Sequence, residues 1–358
     1  LIAAVSGPKD YHHCHCHSPH PAMDAATRSI AYLTEPKMTI TTVMCMAVGT
    51  GFLIEMMKRR LIHWVNCQPW KSRMLPLQRK LMQNFGYSEA ASKEDAMMVD
   101  AYCFAVAICS HHVVVSILLL PVILQGWEAS GPIGQLMFYV GALGDLAYSI
   151  YDSLQISLRT FFPENFKFLG VQTPLKFFII MVCMHHSLSI TLTLPMILCY
   201  PSMRALHIIM YSLLLAGGSC YLLGCYKFTL DTKTKADFRR YQVVAFLQLV
   251  IIGITRIFVW IHEATNVLSF FYTEGNLLFF GGAAAGGLLM SFFNLLMFLD
   301  ALQAAAKWLP KRWDPEVTQE VAVLEARPTL LKKPKSDELL FQRRKVAAAG
   351  AEVALMAN

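Results

Sequence analysis

Apolar runs of about 20 residues punctuate this chain, the length at which a helix crosses the hydrocarbon of a bilayer. Seven are legible, at residues 38–57, 102–124, 132–152, 176–199, 203–225, 242–262 and 276–300. In lipid every backbone N–H and C=O must bond within the chain, so such runs predict helices. The expected fold class is all-α, a polytopic membrane protein with about seven transmembrane helices. Charge agrees: 15% of the 358 residues are charged, where a soluble domain carries about 25%.

Loop charge tests the number of spans. Seven spans place the 58–101, 153–175 and 226–241 loops and the C-terminal tail on one side. The first of these holds Lys58, Arg59, Arg60, Lys71, Arg73, Arg79, Lys80 and Lys93, and the third Lys227, Lys233, Lys235, Arg239 and Arg240. The opposite loops offer Arg204 as their cation, with Glu128, Glu263 and Glu274. This is the asymmetry of the positive-inside rule. The net charge of +7 therefore reads as topology and attraction to anionic lipid, not as nucleic-acid binding.

Around the spans the chain divides into a polar segment 1–37, a first span 38–57, a basic amphipathic loop 58–97, a membrane domain 98–308 and a polar tail 309–358. The first segment contains YHHCHCHSPHP (Tyr11 to Pro21), whose spacing matches no defined metal site. No metal is expected. Most of the ten cysteines fall in or beside spans, where Cys acts as a small apolar residue. A start at Leu1 reads as removal of a targeting segment or as a start within a longer product. A polar tail frays unless something holds it, and a held tail, expected here, implies a large partner.

Polar residues inside the spans are the candidate site, because ionisable groups at membrane depth are costly and usually functional. Two stretches 74 residues apart share a phrase, CSHHVVVSILLLPVIL (Cys109 to Leu124) and CMHHSLSITLTLPMIL (Cys183 to Leu198). His111 and His185 each lie nine residues past the start of a span, roughly 14 Å deep and near the midplane. His185, Ser189 and Thr193 form one stripe at i+4 steps, and Pro121 and Pro195 predict kinks beyond the His level. Asp145 and Asp152 share a face of the third span. Arg256 lies in the sixth span, with Asp145 its candidate partner, and Asn294 in the seventh. Gly217, Gly218 and the pair Gly282 and Gly286 predict close helix approach.

Taken in order, these features resemble the TLC-domain superfamily, shared by ceramide synthases and translocon-associated membrane proteins, over about residues 98–308. The residues that carry the likeness are CSHHVVVS, GALGDLAYSIYDS (Gly141 to Ser153), MHHSLSITL (Met184 to Leu192), ITRIFVW (Ile254 to Trp260) and FFNLLMFLDALQ (Phe292 to Gln303). The resemblance implies a six-helix barrel around an acyl-chain cavity, preceded by one extra helix. It puts His185 and His186 in the place of the synthase His pair and Asp145 and Asp152 on the acidic helix. His111, His112, Arg256 and Ser189 would line the cavity. The fifth helix, LLAGGSCYLLGCYKF (Leu214 to Phe228), carries no acid where the family has one.

The first expectation is accordingly a non-catalytic member that holds lipid or acyl chains, a subunit of a larger membrane assembly in an organelle membrane (mitochondrial or chloroplast) or the endoplasmic reticulum. Membrane lipids and other subunits are the expected partners, and no cofactor is required. An acyl-CoA-dependent N-acyltransferase using His185 or His186 is the alternative. A pigment- or haem-binding subunit is the third reading.

Overall fold

The computed structural model describes residues 21–166 and 169–314. Among them every regular element is a helix. The long ones are α1 Pro21–Thr34, α2 Pro36–Asn66, α3 Lys71–Asn84, and, after the single turn α4 Glu89–Ser92, α5 Asp95–Gln125 and α6 Gly131–Phe161. There follow α7 Leu175–Cys199, α8 Arg204–Lys227, α9 Lys235–Thr273 and α10 Leu277–Trp308. The His- and Cys-rich stretch Tyr11 to Pro21 (save its last residue) and the tail beyond residue 314 lie outside the described residues.

Local chemistry sets the boundaries. Pro36 opens α2 at a position where its missing N–H costs nothing. The Thr234 and Asn276 side chains accept the N–H groups of Asp237 (3.3 Å) and Phe279 (3.3 Å) at the starts of α9 and α10. Gly126 ends α5 at φ 85°, backbone that other residues rarely adopt.

Six helices are long and apolar enough to cross a membrane: α2, α5, α7, α8, α9 and α10. The chain is an integral membrane protein. The remaining expected span, 132–152, lies inside α6, which is 31 residues long but less apolar. The reason is its position. It packs against α2, α5 and α7 and is buried along much of its length, where Asp145, Tyr148 and Asp152 can find protein partners. Helix α9 runs on to Thr273, so Glu263, expected in a loop, is a buried helical residue bonded by Asn266 (3.0 Å).

The segments that charge assigned to one side do meet. Arg73 reaches Asp231 (3.6 Å) and the Thr229 carbonyl (3.1 Å), Lys176 donates to the Asn84 carbonyl (2.7 Å), and Trp313 donates to the Lys233 carbonyl (3.2 Å). At the other end Asn276 donates to the Tyr200 hydroxyl (2.9 Å), and Trp127 stacks on His207 (5.4 Å). Helix α6 therefore runs from one of these ends to the other. In a background without exposed cysteines, Lys93→Cys and Lys233→Cys should label with a membrane-impermeant maleimide from one side and Glu274→Cys from the other. Labelling of all three from one side would break this topology.

Helix contacts close a ring in the order α5, α6, α7, α10, α9, α8 and back to α5. Helix α2 packs outside it on α5 and α6, and α1 on α6. One apolar cluster, including Val122, Phe138, Leu206 and Phe271, fills the end near the 126–130 turn. A second, including Val65, Met74, Met98 and Tyr102, fills the basic end. The polar residues lie between.

Candidate intramembrane His–Asp site

Burial and contact place three of the four paired histidines against one tyrosine. The Tyr148 ring of α6 lies 5.6 Å from His111, 5.2 Å from His112 and 5.7 Å from His186. Sequence alone assigns Tyr148 no role of its own. Its signal was spacing, three residues after Asp145 and four before Asp152, on the same helix face.

Each acid has its own histidine. Asp152 Oδ2 is 2.8 Å from His186 Nε2, and both side chains are almost fully buried. Asp145 Oδ1 is 3.2 Å from His112 Nδ1, at ion-pair distance but without the alignment of a hydrogen bond. A carboxylate at Nε2 holds the His186 proton there and leaves Nδ1 as the basic nitrogen.

The layer continues across the ring. His185 lies 5.1 Å from His186 and stacks on Phe293 of α10 (5.7 Å, 26°). Arg256 of α9 lies over the same Phe293 ring at 5.9 Å. It donates to Asn294 Oδ1 (3.0 Å) and to the Leu213 carbonyl of α8 (3.3 Å). All six ring helices thus contribute to one layer. The expected pairing of Arg256 with Asp145 is corrected: the acid's partner is His112, and neutral oxygens hold the guanidinium. Phe293 and the Leu213 carbonyl had no signal in the sequence.

Backbone form explains part of this placement. Ile179–His186, Ser189–Thr193 and Gly253–Val259 are π-helical, with turns widened by one residue. Ser189 takes no part in the contacts above. Pro195 follows the second wide segment, in the first turn of the α-helical stretch Leu194–Cys199. A widened turn frees the carbonyl that proline cannot bond and would strike. Helix α5, by contrast, continues through Pro121 to Gln125.

Several buried atoms of the layer have no hydrogen-bond partner among the described residues: His111 Nε2, His185 Nδ1, His186 Nδ1, Asp152 Oδ1 and Asn294 Nδ2. Native interiors rarely leave such atoms unpaired, and a cluster of them calls for an explanation. No group of three or more His, Cys, Asp or Glu among the described residues is arranged to hold a metal ion. Two hollows, of about 470 Å³ by Leu249 and Leu302 and about 340 Å³ by Trp64, Tyr102 and Cys225, lie away from the layer.

Comparison with known proteins finds no matching family model, no matching curated protein and no matching solved structure.

Proposed function

We propose that the polar layer is an intramembrane lipid site in which His186, oriented by Asp152, acts as general base in acyl transfer. The observation that carries this reading is the buried Asp152–His186 pair with Nδ1 unpartnered. A structural pair would be fully satisfied. A base needs one nitrogen fixed and the other free of a protein hydrogen bond.

The reaction follows from those atoms. A long-chain amine attacks the carbonyl carbon of an acyl thioester. The C–N bond forms, the C–S bond breaks, and His186 Nδ1 takes the amine proton and returns it to the leaving thiolate. Asp152 stabilises the imidazolium formed on the way. This is the chemistry that resemblance to ceramide synthases implies. It turns the reading from a lipid-holding subunit toward an enzyme, because the acid missing from α8 is not needed when Asp152 already holds His186.

Purified protein given an acyl-CoA and a long-chain base should form the amide, and His186→Ala should abolish it. Absence of turnover with acyl-CoAs of every chain length would overturn catalysis. The layer would then hold lipid only, and migration above the monomer in a native gel would mark the assembly subunit.

A further inference from the structure

Arg256 is a buried cation with no buried anion. It is 6% exposed inside a membrane domain. Among the described residues no Asp or Glu lies within ion-pair distance of it, since Asp145 and Asp152 are occupied by His112 and His186. A guanidinium has about five N–H donors, and two bonds to neutral oxygens use two of them. A charge taken out of water needs an opposite charge or dense hydrogen bonding.

The surroundings form a built subsite. Asn294 is fully buried, and its Nδ2 donor has no partner although Oδ1 beside it receives Arg256. The amide and the guanidinium thus both keep N–H groups unsatisfied at one contact. Gly217 of α8 faces the guanidinium, with a Cβ there 3.6 Å from Nη2. Phe293 separates this corner from His185, with its ring against both.

We infer that Arg256 and Asn294 bind the anionic headgroup of a single-chain amphiphile, a long-chain carboxylate or phosphate, which supplies the missing counter-charge. The forked guanidinium fits both anions in paired hydrogen bonds. The inference rests on reading the layer as a lipid site, but not on His186 performing chemistry.

The full chain in phosphatidylcholine nanodiscs should bind oleate at least about tenfold tighter than oleyl alcohol, which has the same chain and no charge, a margin set by one charge-assisted contact. Oleoyl lysophosphatidate, tested beside oleate, identifies the headgroup: whichever anion binds tighter is the natural source. Arg256→Gln should erase the preference. Asn294→Asp should also erase it by giving Arg256 an internal partner, while the protein keeps its melting temperature, so that loss of fold does not explain the result. Equal binding of oleate and oleyl alcohol by the wild type, or a preference that survives both substitutions, overturns the inference. Turnover measured on the same samples keeps the two readings apart. Anion preference without turnover removes only catalysis, and turnover without preference removes only this subsite.

Discussion

Asp152→Asn should lower acyl transfer by about two to four orders of magnitude while the protein stays folded, the range seen when a general base loses its orienting acid. Asparagine has the shape of aspartate but can donate as well as accept. Facing His186 Nε2, its amide can act as donor, which moves the imidazole proton to Nδ1. The open nitrogen then carries a hydrogen and is no longer a base. The substitution acts on chemistry more than on packing, so kcat falls much further than KM rises. Removing His186 instead strands a carboxylate that is 3% exposed, at a cost of about 3–5 kcal/mol. A doubly neutral Asp152→Asn/His186→Gln variant avoids that cost and should be folded and inactive. Wild-type turnover in Asp152→Asn would show that the pair serves structure alone.

Large-scale organisation was legible because it rests on additive signals. Twenty apolar residues give a span whatever surrounds them, and the cations of the 58–101 and 226–241 loops add up to an orientation. The contacts Arg73 to Asp231 and Trp313 to Lys233 join the segments that charge put together. The site was legible in membership, since polar residues within apolar runs announce themselves. Its pairing was not. Asp145 and Arg256 were matched by charge, yet which atoms meet depends on helix rotation, and π-helical turns at Ile179–His186 and Gly253–Val259 rotate the residues they carry. No local propensity marks such turns. They follow from packing around the ring, as does the use of Phe293 as a spacer between His185 and Arg256.

Gly218→Ala should be the most damaging of four glycine substitutions, at 218, 282, 286 and 287, and the geometry says why. A Cβ at 218 would lie 2.8 Å from the Cys109 carbonyl oxygen, 2.9 Å from the Val113 nitrogen and 2.7 Å from Val113 Cγ2. Two of these are backbone atoms of α5 and cannot turn aside. Helix α8 must then move off α5, its most extensive neighbour, at a cost of about 1–3 kcal/mol or more. At Gly286 the close atom is Leu192 Cδ1, the end of a flexible side chain, so Gly286→Ala should cost less. Gly282, its partner in the small-xxx-small spacing, has nothing within 4 Å, nor has Gly287, and alanine at either should be neutral to within about 0.5 kcal/mol. Thermal unfolding in mild detergent ranks the four, and equal melting temperatures for Gly218→Ala and Gly287→Ala would refute the ordering. The same displacement bears on the site. Helix α5 carries His111 and His112, and α8 supplies the Leu213 carbonyl that Arg256 uses. Separating these helices opens the polar layer between them, so any Gly218→Ala protein that still folds should also lose the oleate preference.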